Sequence, residues 1–297
     1  MTAAKSQEGR RSPALVEASL LLTVFFFGTN FTAVKLVVAD VPPVLFAASR
    51  FTLAGLLLFA ISRFAEPGTR LRRGDVLPVL GLGVVGITLT QTVFTVGVGL
   101  TTAANTALGY STSPVWGMLL GFALGLERPR LAGILGIGLS LLGVGFIVYG
   151  GLEFAGTSLV GDVLILAAAV FWGSYTVLSL SLLERYPPIS LAAYSMILGG
   201  LVAFPISLLD PHTLDLAAID AATWTAAAYS MLFSSAFGFA AWGWGVSRAG
   251  ANRVLIYQYL VTLIGVSAGI VLLGESFGPG QLIGAAVIVA GVYLAKR

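Results

Sequence analysis

Long apolar stretches separated by short polar linkers run through the whole chain. Ten of them reach the roughly 20 residues that an α-helix needs to cross a bilayer. They fall at 14–38, 43–62, 76–98, 102–125, 131–149, 160–183, 188–209, 221–247, 251–273 and 278–295. Backbone in lipid is satisfied only by helices or closed barrels. Barrel strands are about 10 residues of alternating polarity, so these longer stretches predict helices. Prolines punctuate the predicted boundaries, at Pro42-Pro43, Pro67, Pro129, Pro187-Pro188, Pro211 and Pro279. Proline cannot continue a helical hydrogen-bond ladder. The expected class is an all-α integral membrane protein of ten transmembrane helices.

Composition supports the same reading. Of 297 residues, 57% are hydrophobic and 10% charged, against roughly 25% charged in a soluble domain. Mean hydropathy is +0.96. A soluble enzyme, a nucleic-acid binder and a secreted domain are therefore excluded as leading ideas. No cysteine is present, so disulfides and thiolate chemistry are absent, and His212 is the single histidine. One loop histidine cannot build a metal cluster, and no metal or cofactor is expected. The polar tail 1–13 precedes an apolar stretch too long for a signal peptide, which is expected to be retained as a helix.

Charge orients the chain. With the N-terminus inside, Lys5, Arg10, Arg11, Arg63, Arg70, Arg72, Arg73, Arg128, Arg130, Arg185, Arg248, Arg253, Lys296 and Arg297 are cytoplasmic. The opposite loops hold Asp40, Glu153, Asp210, Asp215, Asp220 and Glu275 and no basic residue. This positive-inside bias predicts both termini in the cytoplasm. Lys35 and Arg50 lie within or near the ends of the first two helices.

The halves resemble each other. Phe26-Phe27-Gly28-Thr29-Asn30 corresponds to Phe171-Trp172-Gly173-Ser174-Tyr175, and Pro42-Pro43 to Pro187-Pro188, at an offset of 145. Ala104-Asn105 and Tyr110 correspond to Ala251-Asn252 and Tyr257 at 147, and Glu127, Gly136 and Gly143 to Glu275, Gly284 and Gly291 at 148. The units expected are 14–149 and 160–297, joined by an external linker at 150–159. Five helices is an odd number, so the second unit crosses the membrane inverted. Inverted repeats are a mark of secondary transporters that bind substrate near the midplane.

The arrangement resembles the drug/metabolite transporter superfamily, in its ten-helix branch of two EamA-type repeats. The residues carrying the resemblance are Phe27 to Lys35, Ala103 to Leu108, Gly274-Glu275 and Gln281 to Ala285. Within that branch the chain is similar to bacterial aromatic amino-acid exporters. The resemblance implies a central cavity lined by helices 1, 3, 4, 6, 8 and 9, alternating access, a bacterial inner-membrane location and export of amino acids. A monomer is expected, with small-molecule substrate and lipid, and no nucleic acid, as partners.

Polar groups within the membrane are costly unless they face protein or water. Thr88, Gln91, Thr92 and Thr95 share one face of helix 3 by their i, i+3, i+4, i+7 spacing. They either line a cavity, with Gln91 foremost because an amide both donates and accepts, or join helices through hydroxyls. Asn30 beside Gly28 is a further cavity candidate. Asn105 and Asn252, near helix starts, read as N-caps. Tyr110, Tyr257, Trp172 and Tyr175 are aromatic candidates for the path, whereas Trp242 and Trp244, near a helix end, read as interface anchors. An apolar, aromatic cavity with few charges suits neutral or zwitterionic solutes.

Lys35 and Arg50 could pair with Asp40 as an outer gate, or snorkel to the interface. Every acid falls near a helix end or in a loop. In the smaller multidrug relatives a glutamate lies about one turn before the helix-1 glycine; Phe25 is at that register here. A uniporter or exchanger is therefore expected. The alternative is a drug, sugar or nucleotide-sugar carrier of the same fold, possibly proton-coupled. With no Lys or Arg read at the midplane, phosphorylated sugars are disfavoured. A membrane enzyme is not expected, since no Ser/His pair, intramembrane aspartate pair or His–Glu metal motif is present. A channel or scaffold is disfavoured by the inverted repeat.

Overall fold

The computed structural model describes residues 13–125, 158–209, 214–217, 219–276 and 278–295, and part of the stretch 131–146. Among the described residues the chain is helical and carries no strand. We number α1 (Pro13–Val37), α2 (Pro43–Ala65), α3 (Arg73–Leu100), α4 (103–123), α5 (the helical residues within 131–146), α6 (Leu159–Leu183), α7 (Pro188–Ser207), α8 (221–249), α9 (Ala251–Leu273) and α10 (Pro279–Ala295). Among the described residues six helices, α1, α2, α3, α6, α7 and α9, are long and apolar enough to cross a membrane.

Local chemistry sets the boundaries. Pro43, Pro188 and Pro279 are first residues of their helices, where a missing N–H costs nothing. Thr102, Ser158 and Asp220 cap α4, α6 and α8, their side-chain oxygens accepting from the N–H of Asn105, Gly161 and Thr223. The Thr223 N–H bond holds the Asp220 carboxyl below its ordinary range. The cap of α4 is thus Thr102, not Asn105. Asn105 donates its side-chain amide to Asp162 Oδ1 at 3.4 Å instead. Gly250 separates α8 from α9, with φ at +85°.

Successive helices run in opposite directions within α1–α4 and within α6–α9. At one end, which carries the acids, the C-termini of α1, α3 and α9 meet the N-termini of α4, α6 and α8. Asp40 accepts from Thr223 Oγ1 (2.6 Å), Asp162 from Thr101 Oγ1 (2.7 Å), and Glu275 from the N–H groups of Ala103 and Ala104 (2.7 and 2.8 Å). At the opposite, arginine-rich end, Glu66 accepts from the N–H groups of Ile189 and Ser190 (3.1 and 2.7 Å). There Asp75 pairs with Arg185 and accepts from the Tyr186 hydroxyl at 2.7 Å.

Small residues allow close crossings. A Cβ at Gly83 of α3 would collide with the Ser195 carbonyl of α7, and one at Gly173 of α6 with the Ser113 carbonyl of α4. Van der Waals packing at such small residues holds helices together where lipid offers no hydrophobic drive.

Two irregularities recur in both halves. α3 contains a π-helical turn at Val84–Leu89 and α8 one at Ser230–Gly238, starting 146 residues apart (230 − 84). α4 breaks at 111–112 and α9 at 256–257, 145 apart (256 − 111). π turns concentrate at functional sites, and non-helical backbone at membrane depth is tolerated where it lines a cavity or is buried in protein.

Candidate functional site

Four polar side chains form one buried layer. Asn30 lies seven residues from Val37 at the end of α1, and Arg50 seven from Pro43 at the start of α2. Gln91 lies nine from Leu100 and Ser230 nine from Ala221. At about 1.5 Å rise per residue, all four sit roughly 10–14 Å below the acidic end. Arg50 Nη1 donates to Ser230 Oγ (2.7 Å), and Ser230 Oγ donates to Asn30 Oδ1 (2.5 Å). Arg50 Nη2 donates to Gln91 Oε1 at 2.9 Å. The guanidinium also lies over the rings of Phe46 and Phe51, at 5.0 and 4.6 Å, a cation–π arrangement.

Below this layer the wall is aromatic. Trp172 stacks on Tyr175, with centroids 5.4 Å apart and planes 21° apart. Phe27, Phe239 and Trp242 surround it at 5.8, 5.1 and 5.4 Å. Tyr110 packs on Phe94 at 5.4 Å and faces Trp172 at 6.4 Å. Between the polar layer and the rings lies a cavity of about 40 Å³, also reached by Gln258 from the break in α9. That volume holds a few waters, far below the roughly 300 Å³ of an occupied ligand pocket. The central site is therefore contracted.

A second cavity, of about 870 Å³, opens at the arginine-rich end between Glu66, Thr69, Pro187, Trp244 and Arg248. The ends of the bundle are thus unequal. The acidic end is tied shut, with Lys35 Nζ donating to the carbonyls of Val98, Gly99 and Thr101 at 3.0, 3.2 and 2.5 Å.

Of the residues singled out in the sequence, Asn30, Gln91, Tyr110 and Trp172 line the central cavity. Tyr175 supports it from behind, stacked on Trp172. Thr88 and Thr95 do not line it. Thr88 Oγ1 donates to the Gly199 carbonyl (2.7 Å), joining α3 to α7, and Thr95 Oγ1 to the Gln91 carbonyl of its own helix (2.7 Å). The π turn at 84–89 shifts the helical register, so the face drawn with α-helical spacing does not continue through Thr88. Tyr257 also lies away from the cavity, although its repeat mate Tyr110 lines it. Tyr110 is seven residues from the acidic end of α4, and Tyr257 six from the arginine-rich end of α9. α4 and α9 start at opposite ends of the bundle, so these two residues lie at opposite depths.

Three expectations need correction. Arg50 does not pair with Asp40 or snorkel: it is 3% exposed and lines the cavity. The membrane interior therefore does hold one basic group at the site, though not the several a dianionic phosphate would need. Lys35 likewise takes backbone carbonyls, and Asp40 takes Thr223, so no Lys35–Asp40 or Arg50–Asp40 ion pair forms. Trp242 is not an interface anchor. It is 1% exposed and donates Nε1–H to Thr176 Oγ1 at 3.2 Å. The cavity also recruits α2, through Arg50 and Phe51, beyond the six helices expected. Ser230 and Gln258 were missed, although each is a polar residue inside an apolar stretch. His212, Glu127, Arg128 and Arg130 lie outside the described residues.

A bundle with repeated helix breaks around one polar and aromatic cavity has the form of a solute carrier. The profile of the EamA-like transporter family matches twice, over residues 15–149 and 159–297. The chain belongs to the EamA-like transporter family, a family of multi-pass membrane transporters. It is 30% identical to a probable terminal-alkyne amino-acid exporter of Streptantibioticus cattleyicolor, over 94% of this chain and 92% of that protein. It is 28% identical to a probable amino-acid metabolite efflux pump of Salmonella typhimurium, over 92% of each. An uncharacterized transporter of Archaeoglobus fulgidus is 26% identical over 94% of this chain and 97% of that one. A solved crystal structure, 21% identical, shares the fold with a TM-score of 0.69, over 96% of this chain and 97% of that one.

Proposed function

We propose that this transporter exports amino acids, aromatic and other neutral ones, by alternating access, as a uniporter or exchanger. The observation that carries this reading is the central cavity. It has aromatic walls, a polar roof, and a helix break or π turn in four of the helices around it. Rings would receive an apolar side chain, and the layer of Asn30, Arg50 and Gln91 the polar end of the solute. The two relatives named for amino-acid efflux support the substrate class. We further infer ten membrane crossings, both termini in the cytoplasm, a bacterial inner-membrane location, and two inverted units, 14–149 and 160–297, in a monomer. In that orientation the large vestibule faces the cytoplasm and the tied end faces out, an inward-facing arrangement suited to loading an export substrate.

The test is counterflow of labelled phenylalanine in proteoliposomes, with and without unlabelled phenylalanine inside. Saturable uptake, accelerated by internal substrate and not concentrated by a pH gradient, is the expected result. Trp172→Ala should reduce it by about tenfold or more, because buried aromatic anchors dominate recognition. Absence of any saturable amino-acid flux overturns the reading.

A further inference from the structure

We propose that Arg50 anchors a carboxylate, so that the site recognises the acid group of its substrate and the amine is dispensable. This deepens the transport reading above and rests on it for the direction of flux, not for binding.

Arg50 carries a charge with no counter-ion beside it. Arg50 is 3% exposed, and neither of its hydrogen-bond acceptors, Ser230 Oγ and Gln91 Oε1, is charged. Its Nε–H has no acceptor. Removing a guanidinium from water costs several kcal/mol unless a counter-ion compensates, and an intramembrane ionisable group marks a substrate path by default. Among the described residues, every acid at the acidic end near this layer has other partners. Asp40 takes Thr223, Asp162 takes Thr101 and Asn105, and Glu275 takes Ala103 and Ala104. The missing anion must come from elsewhere.

The cavity beside Arg50 is built to receive it. Trp172 Nε1–H and both amide atoms of Gln258 are also buried without partners, and both residues line the same cavity, each 1% exposed. Unpaired donors therefore come from three helices, α2, α6 and α9. An ionised carboxylate is acceptor-only and takes several donors at once, and a guanidinium suits it best. A volume of about 40 Å³ is the scale of that one group; the ring of the substrate requires the aromatic wall to part. An ammonium group would find no anion there, only neutral oxygens such as Gln258 Oε1. A phosphate dianion would lack a second cation, because the Lys35 ammonium is held by three carbonyls.

The test compares phenylalanine with its two halves, 3-phenylpropanoate and phenethylamine. Each is added to the purified protein in detergent and the melting temperature is followed, since a ligand that binds the folded state raises it. The same compounds compete against labelled phenylalanine in counterflow. 3-Phenylpropanoate should stabilise and should compete within about threefold of phenylalanine; phenethylamine should be at least about tenfold weaker, one lost charge-assisted contact. In Arg50→Gln, and in Arg50→Lys as a charged control, the preference for acid over amine should collapse in the first and survive in part in the second. Equal or stronger effects of phenethylamine on the native chain overturn the proposal without any variant. So does stabilisation by none of the three. Stabilisation by the acid with no phenylalanine flux would uphold the carboxylate site and overturn amino-acid transport alone.

Discussion

The two ends of the bundle use one chemical device and reach opposite outcomes. In each, a glutamate from one half of the chain caps the first turn of a helix in the other half. Glu275 accepts from Ala103 and Ala104 of α4, and Glu66 from Ile189 and Ser190 of α7. Both carboxylates sit at a helix N-terminus, where backbone N–H groups and the helix dipole favour an anion. At the acidic end, Lys35 on the end of α3, Asp162 on Thr101 and Asp40 on Thr223 reinforce the clamp. At the arginine-rich end, Glu66 stands at the rim of the 870 Å³ vestibule. Asp75 adds ties to Arg185 and Tyr186 at this end, yet the mouth beside Glu66 stays open.

The two glutamate clamps can be removed separately. Hydrogen bonds to charged groups contribute about 1.5–3 kcal/mol each. Glu275→Ala should therefore speed hydrogen exchange at the Ala103 and Ala104 amides by about tenfold or more, leaving those of Ile189 and Ser190 unchanged. Glu66→Ala should do the reverse. An effect of either substitution at both ends would mean that the clamps are not independent.

Lys35→Met sharpens the same contrast with a smaller effect, because the Lys35 side chain is only half-buried. Val98 is fully buried beneath this tie, and the chain has no cysteine of its own. In a Val98→Cys background, Lys35→Met should raise the rate of maleimide labelling about three- to fivefold, as lost ties raise local opening. An unchanged rate would show that Asp162 and Glu275 hold the end shut without Lys35.

The smallest effect belongs to the arginine-rich end. Burial, followed by the bond to Asp75, pushes the Tyr186 phenol above its ordinary value of 10.0. The unfolded chain therefore ionises first. Stability from this group is fully present below about pH 10 and is lost as pH rises from there through the folded-state value. Tyr186→Phe should lower the melting temperature by about 1–2 °C at neutral pH and flatten its fall at alkaline pH. An equally steep alkaline fall in the variant would remove Tyr186 from the account.

Much of the helical order was legible because lipid leaves few choices. Apolar length and proline at boundaries locate helices such as 43–65 and 188–207 without tertiary knowledge. Asn30, Gln91 and Trp172 were legible for a related reason, as polar or amphipathic groups deep within apolar stretches. Arg50 was misread because its depth, seven residues into α2, suits snorkelling as well as burial. Its partners come from α3 and α8, and only the fold brings them together. Trp242 was misread because nearness to a helix end resembles anchoring, whereas the rings that enclose it belong to α1 and α6. Thr88 takes the second of its two readings and joins helices, which spacing could not decide because it carries no mark of a π turn.

Those π turns have a mechanical consequence. A π turn stores one residue more than the surrounding α-helix requires, while every N–H in it still finds a carbonyl. If that spare residue passes one step along α3 or α8, the helix on one side swivels about its axis with no donor left bare to lipid. The barrier to such a swivel is then a matter of repacking Phe27 against Gly238 and Tyr175 against Gly86, and not of breaking the backbone ladder. Such a swivel would make the two helices bearings, one in each half, set in opposite directions.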